Sequence, residues 1–161
     1  MSETALNNPD LLAVAGLGPE YWVGNAWRPS HDEKEYEITR IEGQIPRELH
    51  GTLYRNGPSQ HILPEGGYEA LHLFDGDGMV HAFRFEDGRV QYRGRFVRNE
   101  SFLVEEDEGR FCMNSVGVQV DDPTDRIFIR EQHNTNVVFH GGKLMALVEN
   151  AWPFELDARS L

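Results

Sequence analysis

At 161 residues, with 39% hydrophobic side chains that include three Trp, five Tyr and nine Phe, the chain has apolar material for one core of ordinary domain size. Fifteen Lys and Arg against 27 Asp and Glu leave a formal charge of −12, which opposes binding to nucleic acid because phosphate contacts need cationic side chains. A single cysteine, Cys112, excludes both an internal disulfide and a cysteine-based zinc site.

The N-terminus, Met1-Ser2-Glu3-Thr4, has no basic region, and the apolar run Leu11 to Leu17 is followed by Gly18-Pro19-Glu20 instead of a small-residue cleavage site. Nothing there marks the chain for export, and the cytoplasm is the expected compartment. No window approaches the ~18 apolar residues that a spanning helix needs, whereas docking onto a membrane surface stays open. Residues 1–40 read as an irregular N-terminal arm, since Pro9, Gly16, Gly18, Pro19, Gly24 and Pro29 interrupt any long helix.

From residue 50 onward the pattern is that of β-strands: short runs of β-branched and aromatic residues, divided by Gly, Asp, Asn and Pro. The clearest is Met79 to Phe85, which turns at Glu86-Asp87-Gly88 into a return strand, Val90 to Val97. Further expected strands are Thr52 to Arg55, Ala70 to Phe74, Val116 to Val120, Arg126 to Arg130, Thr135 to Phe139 and Lys143 to Glu149. Gly141-Gly142 joins the last two as a two-residue turn, where both glycines can take positive φ. If so, Phe139 pairs with Leu144 and Thr135 with Val148, which puts Thr135 and Val148 on one face and Glu149 opposite Asn134. Short antiparallel strands of this kind suit a sandwich, a barrel or propeller blades, and periodicity does not separate these. No blade-length repeat is visible. The last residues, Phe154 to Leu161, stop in mid-pattern, as expected of a chain that has been cut.

Motifs of catalysis are sparse. His72-Leu73-Phe74-Asp75-Gly76-Asp77-Gly78-Met79-Val80-His81 begins like a calcium loop, but Met79 stands where an oxygen ligand is required, so a tight turn with Asp side chains capping amides is the better reading. Seven histidines (His31, His50, His61, His72, His81, His133 and His140) form no compact ligand motif, and packing or strand-end roles suit them better. Neither a nucleophile elbow nor a phosphate-binding glycine loop occurs.

Several stretches, in order, resemble the N-terminal signature of the carotenoid cleavage oxygenase family. They are Tyr21 to Asn25, Gly43-Gln44-Ile45-Pro46 through Arg55-Asn56-Gly57-Pro58, Phe74-Asp75-Gly76-Asp77-Gly78-Met79 through Phe83, and Arg95 to Arg98. A final block runs from Asn134-Thr135-Asn136 through Leu144 to Glu149, then Phe154-Glu155-Leu156-Asp157. The resemblance implies an all-β chain forming the first blades of a seven-bladed propeller, with residues 41–161 as its N-terminal portion, truncated at the C-terminus.

It also implies, for the full-length parent, an Fe(2+) held by four histidines, and a hydrophobic polyene and O2 as reactants. The family's four ligands lie beyond Leu161, so this chain alone is expected to bind no metal, to carry no catalytic residue and to be inactive. Two positions transfer. Glu149 matches a glutamate whose carboxylate supports an iron-bound imidazole, and Thr135 matches a residue beside an open iron position. Stilbene-cleaving relatives tend to carry a lysine where this chain has Val148, which lines the same cavity and cannot polarise a phenol, so a carotenoid or apocarotenoid is expected. A phenolic stilbene substrate, or a non-catalytic β-rich binding module, are the alternatives.

Overall fold

The computed structural model describes residues 32–59, 73–116, 120 and 129–161, all within one unit spanning 31–161. Alternation around residue 80 folds as an antiparallel hairpin of β3 (Asp77–Glu86) and β4 (Arg89–Phe96), with Glu86 opposite Arg89. The turn needs two left-handed residues, and Asp87 (φ 48°) and Gly88 (φ 75°) supply them. On the other edge of β3 lies β2 (Gly51–Ser59), and on the outer edge of β4 lies β1 (Lys34–Glu37), giving the order β1-β4-β3-β2.

β1 falls within the stretch read as an irregular arm, the rest of which, up to residue 31, lies outside the described residues. The strand Lys-Glu-Tyr-Glu has little apolar surface to signal it. Charge pairing holds it instead: Glu35 bonds Arg93 and Arg95, and Glu33 just before it accepts from Arg98 and from the Phe96 amide at 2.8 Å. Hydrogen bonding from Arg93 holds the Glu35 carboxyl below the usual carboxylate range. Burial pushes Glu33 up, but the bonds from Arg98 and Phe96 together outweigh it and leave Glu33 low as well.

The second sheet has the order β5-β6-β7, from β5 (Asn136–His140), β6 (Lys143–Leu147) and β7 (Phe154–Leu156). Gly141 (φ 60°) and Gly142 (φ 82°) form the expected turn, and Phe139 pairs with Leu144 as the two-residue loop requires. The two sheets meet through β2 and β5, where Asn56 Nδ2 donates to the carbonyls of Asn136 and His133, both at 2.8 Å.

Neighbouring residues on β3 point to opposite faces, so the sheet serves two cores. Val80 packs with Val97 and Ala146, together with Tyr54, Val137, Phe154 and Leu156 of both sheets. Met79, fully buried, packs with Phe96 and with Phe102 of the one described helix, α1 (Glu100–Glu108). Each such fully buried side chain is worth about 1.5–3 kcal/mol relative to exposure. α1 was not expected. Its ends are well marked: Asn99 caps the first turn by accepting from the Phe102 amide at 2.9 Å, and Gly109 (φ 68°) closes the last.

Three strand expectations need correction. Leu73–Asp75 is a short 3₁₀ turn, not the end of a strand over 70–74, and it leads directly into β3. Val116, Val120, Ile129 and Arg130 are not in strands, while the residues between Val116 and Val120, and those from 121 to 128, lie outside the described residues.

Candidate functional site

The β5–β6 ladder ends at Asn136 opposite Leu147. One further backbone bond, from the Thr135 amide to the Leu147 carbonyl at 3.2 Å, extends it, after which the chain turns at Glu149 and Asn150. At this open end Thr135 Oγ1 donates to Glu149 Oε2 at 2.9 Å. Continued alternation would have turned Glu149 away from Thr135. The ladder stops first, and the turn carries the carboxylate back across to the threonine. Val148 is half-buried beside them.

Glu149 is exposed, and among the described residues its Oε1 takes no hydrogen bond, so one carboxylate oxygen is tethered and the other is open to an incoming N–H. This donor set fits the support of a histidine that holds a metal. Among the described residues no three His, Cys, Asp or Glu stand together closely enough to hold an ion.

The segment that delivers Thr135 is fixed by buried polar groups. Arg130 donates to Glu105 of α1 at 2.8 Å, to Asp77 at the start of β3, and to the Asp75 carbonyl at 2.7 Å. Burial works against the Arg130 charge, but Asp77 and Glu105 outweigh it and raise its pKa. Burial pushes Glu105 up, only partly offset by Arg130. Asp75 accepts from the Val116 amide at 2.8 Å, and Asn134 donates to the carbonyls of Phe74 (3.0 Å) and Gly76 (2.6 Å). Of the two Asp side chains, Asp75 caps one amide, that of the distant Val116, while Asp77 pairs with Arg130, and both anchor the approach to Thr135. No local pattern announces the Arg130 cluster, because its carboxylates are 25 and 53 residues away. The Asn99 cap, by contrast, stands directly before a helix-forming run.

Four histidines lie among the described residues. His50 and His140 are exposed. His81 shares the face of Phe83, and both contact Tyr92, whose hydroxyl lies 2.7 Å from His81 Nδ1. Burial, with a smaller effect from Arg55, pushes the His81 pKa down. His133 is buried, 1% exposed, within the Thr135 approach. His31, His61 and His72 lie outside the described residues.

The profile of the retinal pigment epithelial membrane protein family matches residues 27–161. Apocarotenoid-15,15'-oxygenase of Synechocystis is 36% identical over 151 residues, covering 89% of this chain, and resveratrol cleavage oxygenase 1 of Aspergillus fumigatus is 33% identical over all of it. The chain spans 30% of the length of each of these curated relatives. Among solved structures, a tryptophan-to-alanine variant of the Synechocystis apocarotenoid oxygenase superposes with a TM-score of 0.75 at 34% identity, covering 89% of this chain and 31% of that one. Other variants of that enzyme change a threonine, or a glutamate fourteen positions later that directly follows the tryptophan. Thr135, Val148 and Glu149 have the same spacing. A cobalt-substituted form has also been solved.

Proposed function

Because this chain belongs to the carotenoid cleavage oxygenase family, that of the retinal pigment epithelial membrane protein, we propose that it supplies the first blades and one side of the metal site of a non-haem iron dioxygenase. Its two sheets are part of the all-β propeller of that family. The reaction is oxidative cleavage of a conjugated C=C bond of a carotenoid or apocarotenoid, in which O2 adds across the double bond to leave two carbonyl products.

The observation that carries this reading is the Thr135–Glu149 pair at the open end of β5 and β6. Glu149 presents its open Oε1 to the N–H of an imidazole that ligates Fe(II), which fixes the ring and raises its donor strength. Thr135 holds the other carboxylate oxygen and would stand beside an open position on that metal. The four histidine ligands would come from the part of the full-length protein that this chain does not include. Fe(II), when bound, supplies the activation of O2. Val148 gives the cavity an apolar wall next to Glu149, suited to a hydrocarbon chain and unable to ionise a phenol.

Among the described residues no helix is long and apolar enough to cross a membrane. We assign the protein to the cytoplasm, with its hydrophobic substrate drawn from a membrane surface and no role for nucleic acid.

The test is an anaerobically Fe(II)-loaded full-length protein given an apocarotenal and a hydroxystilbene in parallel. Paired carbonyl products from the polyene support the proposal. Cleavage of the stilbene alone would move the substrate to the phenolic class of the Aspergillus relative, and no cleavage of either would overturn the dioxygenase reading.

A further inference from the structure

We propose that His133 is a positioning residue for Glu149, clamping the loop that carries this carboxylate to the N-terminus of α1. The inference rests on the assignment of Glu149 as the support of an iron-bound imidazole.

A helix cap sets the geometry. Asn99 Oδ1 accepts from the Phe102 amide at 2.9 Å, which fixes the orientation of the Asn99 amide and leaves Nδ2 as a donor. Nδ2 bonds the Glu131 carbonyl and lies 2.8 Å from His133 Nδ1. An amide N–H can only donate, so Nδ1 must accept, and the ring proton sits on Nε2. Nε2 lies 2.9 Å from the carbonyl of Trp152, three residues past Glu149, and donates to it. The cap thus dictates the tautomer, and the tautomer dictates the bond.

That bond is needed because the ladder has already ended. Beyond Asn136 and Leu147, the Glu149 turn is tied to the 130–135 segment by the Thr135 bonds, by a long contact from Asn150 Nδ2 to the Arg130 carbonyl (3.4 Å), and by His133. Of these, the His133 bond alone reaches the far side of the turn. His133 itself is held in a left-handed conformation (φ 46°), 1% exposed, with its carbonyl fixed by Asn56 at 2.8 Å and its ring 5.6 Å from that of Phe154. A left-handed, buried, non-glycine residue is strained unless its surroundings compensate. Here they aim one N–H at one carbonyl.

Three variants of the full-length protein separate positioning from packing. His133→Phe keeps the ring and loses both bonds. His133→Asn keeps an acceptor for Asn99 and is too short to reach Trp152. His133→Gln restores a donor at the position of Nε2. Fe(II) affinity, kcat and KM for an apocarotenal, and the melting temperature are read for each, beside Glu149→Ala.

We expect His133→Phe and His133→Asn to weaken Fe(II) binding about tenfold, the lower end for residues that orient a metal ligand, and to lower kcat with KM unchanged. His133→Gln stays within about twofold of wild type, and Glu149→Ala loses at least as much as His133→Phe. Should His133→Phe fail to fold, His133→Asn against His133→Gln gives the same comparison. Equal losses in Gln and Asn, or losses that track melting temperature alone, overturn the clamp while leaving Glu149 in its role. A silent Glu149→Ala overturns that role, and the clamp with it.

Discussion

Thr135 Oγ1 and Glu149 Oε2, fourteen residues apart in sequence, share a 2.9 Å hydrogen bond just past the last rung of the β5–β6 ladder. The bond selects one carboxylate rotamer and leaves Oε1 facing outward. Thr135→Val keeps the branched shape and removes the donor, and a hydrogen bond of this kind is worth about 0.5–1.5 kcal/mol. The expected outcome in the full-length protein is a roughly three- to tenfold loss of Fe(II) affinity. Thr135→Ser should retain wild-type affinity, both variants being read by equilibrium dialysis.

Arg130 should be the most sensitive residue of the buried cluster. Arg130→Met leaves Glu105 and Asp77 facing each other without their cation, and removing one partner of a buried pair costs about 3–5 kcal/mol. Urea unfolding should show that loss as a lower midpoint, together with reduced soluble yield.

Gly78 lies under the backbone of Gln132 and His133. A Cβ there would come within 2.7 Å of the Gln132 carbonyl oxygen and closer still to that of His133, with backbone on both sides and no flexible atom to give way. Gly78→Ala should therefore cost about 1–3 kcal/mol or more through overpacking, and weaken Fe(II) binding as the approach to Thr135 shifts. Gly57→Ala, whose Cβ meets nothing within 4 Å, is the control and should unfold near the wild-type midpoint.

Acid should act partly through Glu33. Its folded pKa lies below the ordinary 4.5, so the folded state releases its proton more readily than the unfolded chain. Its contribution is complete above pH 4.5 and disappears as the pH falls through the folded value. Glu33→Gln should lower the melting temperature at pH 7 by the equivalent of at most about 1 kcal/mol, since the pair is partly solvated. The two melting curves should converge on acidification, and a constant gap down to pH 3 would remove Glu33 from the explanation.

The sequence marks what is local. The turns at Asp87-Gly88 and Gly141-Gly142 carry their own backbone chemistry, and fixing the second fixes the pairing of Phe139 with Leu144. α1 was hidden because its acidic surface gives little apolar periodicity, although Asn99 and Gly109 bracket it. β1 was hidden because charge pairs with β4 hold it, not apolar alternation. The family resemblance pointed to Thr135 and Glu149, but strict alternation put them on opposite faces. Where a ladder ends cannot be read from period alone, and here that end is what joins the two side chains. The His133 clamp depends on an amide orientation set 34 residues away.

The central claim is that this segment supports an iron site without supplying its ligands. Fe(II) content measured after anaerobic loading and gel filtration, for the 161-residue chain beside the full-length protein, tests it most directly. About one iron per full-length molecule and none retained by the shorter chain is the predicted result. A 161-residue chain that keeps stoichiometric iron and cleaves a polyene would contradict it.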